Sequence, residues 1–134
     1  MYSNMKISTN TKIFILEDDD FMRGLLMRKF QADGAIVEAN NQAAGAFEAI
    51  KKMMPDITIL DIMIPGEIDG LEILRQMRAD PQTRDLKVMM LSNLSEKANL
   101  DKANKLGVSS YLVKSTVTVE GIATEVARAL EAIS

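Results

Sequence analysis

Five short apolar runs, each stopping abruptly at polar residues, constrain this chain more than any other feature. They are Lys12-Ile13-Phe14-Ile15-Leu16, Ala35-Ile36-Val37-Glu38, Asp56-Ile57-Thr58-Ile59-Leu60-Asp61, Lys87-Val88-Met89-Met90-Leu91-Ser92 and Ser109-Ser110-Tyr111-Leu112-Val113-Lys114. Runs that are apolar throughout, rather than alternating, fit strands buried on both faces of a parallel sheet. Helical spacing fills the gaps. Phe21, Leu25, Leu26 and Phe30 mark a first helix, and Ala43, Phe47, Ile50 and Met54 a second. Asp69-Gly70-Leu71-Glu72 reads as a capping box opening a third, with Leu71, Leu74 and Met77 inward. Ser95 reads as the N-cap of a fourth, ended by Gly107. Val119, Ile122, Val126, Leu130 and Ile133 form the inner stripe of a fifth. Crossovers between parallel strands are right-handed almost without exception. The expected fold is therefore α/β: a doubly wound three-layer (βα)5 domain with a five-stranded parallel sheet in the order 2-1-3-4-5. It is expected over residues 12–134, after a flexible lead-in at residues 1–11.

Composition narrows the chemistry. At 134 residues, the chain is long enough for one domain that buries roughly two-thirds of its extended surface. It has no His, no Cys and no Trp. That excludes Cys/His zinc sites, Ser-His-Asp triads, Cys nucleophiles and disulfides, and it fits a cytoplasmic location. Any acid or base is a carboxylate, a Lys or a Tyr. The net charge of -3 lacks the basic footprint of nucleic-acid binding. No apolar run approaches the ~18 residues of a membrane span.

The polar residues collect at one edge. Glu17-Asp18-Asp19-Asp20 follows strand 1, Asp61 ends strand 3, Ser92 ends strand 4 and Lys114 ends strand 5. These carboxyl ends surround the switch point between strands 1 and 3, where doubly wound sheets bind ligands. Carboxylates gathered there repel one another, and a hard divalent cation such as Mg²⁺ relieves the repulsion. A carboxylate beside a cation, a Lys and a hydroxyl is suited to accept a phosphoryl group.

Four stretches, in order, resemble the receiver domain of two-component response regulators, of the chemotaxis-regulator-like kind. They are Ile15-Leu16-Glu17-Asp18-Asp19 with Arg23, Leu60-Asp61-Ile62-Met63-Ile64-Pro65 with Asp69-Gly70, Met90-Leu91-Ser92, and Gly107 to Lys114. The resemblance implies that Asp61 is the phospho-acceptor. It implies Mg²⁺ held by Asp18 directly, by Glu17 through water, by Asp61 and by the backbone carbonyl of Met63. Ser92 resembles the hydroxyl that binds phosphoryl oxygens, Lys114 the lysine that bridges phosphate and carboxylate, and Tyr111 the switch aromatic. The surface expected to change is the face of helix 4, strand 5 and helix 5, with Lys97, Asp101, Lys105 and Tyr111. The partners implied are a sensor histidine kinase or phosphotransfer protein carrying phospho-His, and a downstream target or output domain. Neither direct nucleic-acid nor membrane binding is expected, and the chain is expected to be a monomer or a phosphorylation-linked dimer. No DNA-binding or catalytic output domain is read after the last helix, so the chain is a stand-alone receiver or one part of a longer protein.

The chain departs from the family pattern at three places. Ser115 stands where Pro usually follows the lysine, Asn93 where a very small residue is usual, and the loop from Pro65 to Gly70 is one residue longer. Met63 and Leu94 occupy positions that tune phosphate lifetime in the family, and neither orients a water.

Alternatives stay open. Each residue alone has a plainer role: a solvated helix start for the acids, a strand-end cap for Ser92, a surface lysine for Lys114, packing for Tyr111. A degenerate receiver that binds partners without phosphate is one alternative. A flavodoxin-like small-molecule binder shares the fold, but four acids replace its phosphate-cradling loop. Acyl-phosphate hydrolases place a second Asp two residues after the nucleophile, where this chain has Met63. The expectation is therefore no enzyme beyond self-phosphotransfer and slow autodephosphorylation.

Overall fold

The computed structural model describes residues 6–64, 66, 68–93 and 97–131. Its elements alternate: β1 (Lys12–Leu16), α1 (Asp20–Ala32), β2 (Ile36–Asn40), α2 (Ala46–Met53), β3 (Ile57–Leu60), α3 (Gly70–Ala79), β4 (Lys87–Ser92), α4 (Lys97–Lys105), β5 (Ser110–Val113) and α5 (Val119–Glu131). A short 3₁₀ turn, Lys114–Thr116, joins β5 to α5. All strand pairings are parallel, in the order β2-β1-β3-β4-β5. This is the doubly wound (βα)5 sheet expected from the runs.

Each face of the sheet has its own core, because successive strand residues point to opposite sides. Phe14, Leu16, Leu60, Val88 and Met90 pack with Ile50 of α2, Leu71, Leu74 and Met77 of α3 and Ala103 of α4. Ile13, Ile15, Ile57, Ile59, Met89 and Leu91 pack with Leu26 and Phe30 of α1 and Ile122 and Val126 of α5. Helices thus cover both faces and leave the two sheet edges formed by strand ends for loops.

Several boundaries and stripes differ from the sequence reading. Phe21, one of the apolar residues that mark α1, lies in its first turn and is 72% exposed, while Leu26 and Phe30 are buried. Met54 is exposed as well. It sits just past α2 in a left-handed conformation (φ 52°), so the helical spacing that put it inward no longer applies. α2 starts only at Ala46, after Gly45 turns the chain with φ 82°. Asp69 accepts from the Glu72 N–H at 2.9 Å, which bears out the α3 cap. Gly107 (φ 78°) follows α4 as expected. From Ile7 on, the lead-in is tied to the domain: Ile7 packs on the α1/α5 core, and the Asn10 N–H donates to the Gly34 carbonyl. Pro65, Leu94, Ser95, Ile133 and the side chain of Lys97 lie outside the described residues.

Candidate functional site

The site forms because β1 and β3 are neighbours that end at the same level. Leu16 pairs with Leu60, and the next residue on each chain is an acid. Both acids are held by one further backbone bond. The Glu17 N–H donates to Asn40 O at 3.1 Å, and the Asp61 N–H donates to Leu16 O at 3.0 Å. Glu17 and Asp61 are consequently buried, at 1% and 2% exposure, although carboxylates are rarely fully buried unless paired.

The pairing comes from Lys114. Its Nζ lies 2.5 Å from Asp61 Oδ2 and 2.7 Å from Glu17 Oε1. It reaches them from the 3₁₀ turn after β5, across the intervening β4, with a trans peptide to Ser115. The other Asp61 oxygen, Oδ1, accepts the Met63 backbone N–H at 3.0 Å. The other Glu17 oxygen, Oε2, accepts the Asp19 N–H at 3.1 Å.

The acid loop divides its labour. Asp19 turns away from the cluster and caps α1, accepting from the Met22 N–H at 3.0 Å. Arg23, one turn into α1, reaches back to the Glu17 carbonyl at 3.0 Å and pairs with Asp20 at 2.6 Å. Its bracing of the Glu17 backbone follows from the helix placing it one turn past the acids. Asp18 is half-buried and stays with the cluster.

Burial and neighbouring charge shift the titration of Glu17 and Lys114. Burial pushes the Glu17 carboxyl from 4.5 up to about 7, with the charge of Asp61 adding to the rise and Lys114 and the Asp19 N–H opposing it. Burial pulls Lys114 down, but its hydrogen bond to Asp61, its close ion pair with Glu17 and the charges of both outweigh that and hold it above its ordinary value.

Among the described residues, Glu17, Asp18 and Asp61 bring one carboxylate oxygen each within 4.8 Å of one another. Glu17 Oε1 is buried and lacks a well-aligned hydrogen bond despite its nearness to Lys114. Three hard oxygen donors close together, one of them from a buried and imperfectly satisfied carboxylate, fit a divalent cation such as Mg²⁺. Lys114 supplies one positive charge against three acids, so the cluster has charge to spare for it.

Of the remaining expected residues, Ser92 and Met63 stand at the same sheet edge and Tyr111 lies inside β5, paired with Met90. Ser92 is fully buried at the end of β4, where it pairs with Val113, the residue before Lys114. Tyr111 lies on β5, half-buried against the core on the α2–α4 side. Met63 is 57% exposed beside Asp61. Asn93 is exposed just past Ser92.

Residues 13–126 match the family model for the response regulator receiver domain. The chain belongs to that family. This receiver is 31% identical over 109 residues to the phosphate regulon transcriptional regulatory protein PhoB of Rhizobium meliloti, covering 81% of this chain and 48% of that protein. It is 35% identical over 121 residues to a protein-glutamate methylesterase/protein-glutamine glutaminase of Rhodopseudomonas palustris, covering 87% of this chain and 30% of that protein. The receiver thus spans less than half the length of these curated relatives. Among solved structures, the BeF3-activated N-terminal receiver domain of Klebsiella pneumoniae RstA superposes with a TM-score of 0.78 at 26% identity, covering 90% of this chain and 99% of that one. A CheY-like receiver domain protein of Methanospirillum hungatei shares the fold with a TM-score of 0.83 at 19% identity, covering 92% and 95%. Among the described residues, no helix is long and apolar enough to cross a membrane.

Proposed function

We propose that Asp61 accepts a phosphoryl group from a phospho-His on a partner kinase or phosphotransfer protein, and that the resulting acyl phosphate switches the α4–β5–α5 face for partner binding. The observation that carries this reading is Lys114 Nζ bridging Asp61 Oδ2 and Glu17 Oε1 at a site that also gathers Asp18. The partner must bring the His, since this chain has none.

Asp18, Asp61 and the Met63 carbonyl would hold Mg²⁺, with Glu17 acting through water. Bound there, the ion neutralises charge on the transferring phosphoryl oxygens. The chain's own groups do the rest. A carboxylate oxygen of Asp61 attacks phosphorus in line. The P–N bond to the partner imidazole breaks, and the electron pair stays on that nitrogen. Lys114 leaves its bond with the incoming Asp61 oxygen to pair with a phosphoryl oxygen, and Ser92 donates its hydroxyl to another. Ser92 moving toward the phosphate frees space behind it for the Tyr111 ring, which alters the exposed face bearing Asp101 and Lys105. Met63 is apolar and orients no water, so hydrolysis of the acyl phosphate is slow self-dephosphorylation rather than turnover of an outside substrate. The reading places the protein in the cytoplasm.

The test is phosphotransfer from a radiolabelled phospho-His protein with Mg²⁺. Label is expected on the wild type and absent from Asp61→Asn. Label retained on Asp61→Asn, or a wild type that binds its target equally well without label, contradicts the proposal. The second outcome favours a phosphate-independent scaffold.

A further inference from the structure

We infer that Gly70 is a positioning residue for the phospho-acceptor: lacking a side chain, it lets the first turn of α3 pack directly on the Asp61 carbonyl and so sets where the Asp61 carboxylate stands. This inference rests on the phosphoryl-transfer reading above.

A Cβ added at Gly70 would lie 2.0 Å from the Asp61 carbonyl oxygen, 2.7 Å from its carbon and 3.1 Å from the Ile62 Cα. All three are backbone atoms, so no flexible side chain can swing aside. The other helical glycines are different. At Gly24 and Gly121 the nearest contact of a Cβ would be a side-chain atom at 3.3 Å, from Arg28 and Thr118 respectively. Gly70 is therefore required for close approach, not for an unusual backbone angle.

The contact is two-sided. The Gly70 N–H donates to Ile62 O at 3.2 Å. Asp69 caps the same helix turn, and Leu71, Ile73, Leu74 and Met77 bury α3 in the core. Opposite it runs the Asp61–Ile64 turn, which holds the acceptor and the Met63 N–H bonded to Asp61 Oδ1. A methyl group at residue 70 forces the two apart by about an ångström. Moving α3 would drag four buried side chains and a cap. The turn carries fewer anchors, the buried side chains of Ile62 and Ile64, and a tilt of the Asp61–Ile62 peptide is the smaller movement, so the displacement falls on the acceptor. A misplacement of about 1 Å at a reacting group can cost about 100-fold in rate.

The experiment follows phosphate-adduct formation by intact mass with Mg²⁺ and a small acyl phosphate donor, for wild type, Gly70→Ala, Gly121→Ala and Leu74→Ala. The wild type is expected to gain one phosphoryl group, and Gly70→Ala to do so about 100-fold more slowly even at saturating donor. Gly121→Ala, the same substitution in another helix, is expected to keep the wild-type rate. So is Leu74→Ala, which lowers Tm by hollowing the same core. Gly70→Ala is expected to unfold cooperatively, with sucrose added if needed to keep it folded. Wild-type rate in Gly70→Ala overturns the role of Gly70. An equal rate loss in Leu74→Ala overturns it too, since general loosening would then suffice. So does a Gly70→Ala chain that stays unfolded in sucrose, because a positioning role requires the core to hold while the turn moves. A wild type with no adduct counts instead against phosphoryl acceptance itself.

Discussion

Lys114 shows how a single residue can be legible in identity and illegible in reach. Its place at the end of an apolar run marked it for the site. That it spans β4 to touch both Asp61 and Glu17 depends on the 3₁₀ turn after β5, which no periodicity announces. Asp61, Glu17 and Asp18 were readable because an acid directly after an apolar strand has one place to go, the carboxyl edge. Phe21 fits the helical spacing of α1 and is nonetheless exposed, because spacing does not say how far along a helix the core reaches. Lys114→Met removes the charge that faces the transferring group, and the initial rate of adduct formation is expected to fall about 100-fold, read by intact mass. Glu17 supplies a pH dependence. Its folded value, about 7, lies above the ordinary 4.5, so the native state holds the proton more tightly than the unfolded chain. The stability this gives the metal-free protein is full below about pH 4.5, drains as pH rises and is lost above about pH 7. In chelator, Tm is expected to fall between about pH 5 and about pH 8 in the wild type and to fall less in Glu17→Gln. A Tm that rises across that window sinks the assignment.

At the scale of elements, β1, β3 and β4 were plain because central parallel strands are apolar on both faces. β2 was indistinct because it is an edge strand with Ile36 46% exposed, and its pairing runs on to Asn40, a residue that carries no strand signal. α3 was the best-read helix, since its cap and inner stripe agree. Asp69→Ala removes the hydrogen bond to the Glu72 N–H and is expected to cost about 1 kcal/mol, measured as a lower urea midpoint with an unchanged slope. α3 also ends on a contact that the sequence hides. Half-buried Arg78 donates to the carbonyls of Leu106, Gly107, Arg84 and Leu86, tying the end of α4 to the entry of β4. Nothing local distinguishes it from a surface arginine at a helix end, because its acceptors lie up to 29 residues away.

Across the whole molecule, the doubly wound topology turns five separate strand ends into one edge. Three acids on two neighbouring strand ends, with one Lys to answer them, leave an excess of negative charge that destabilises the free fold. Mg²⁺ binding is therefore expected to stabilise it, by about 2.7 kcal/mol at a hundred times its Kd. A Tm titration checks this: the rise should follow Mg²⁺ and be largely absent in Asp18→Asn. One mass spectrum tests phosphoryl acceptance by Asp61 most directly. Incubated with Mg²⁺ and a small acyl phosphate, the wild-type chain is expected to gain one phosphoryl group, and Asp61→Asn none. No gain in the wild type, or a gain that survives Asp61→Asn, would contradict it.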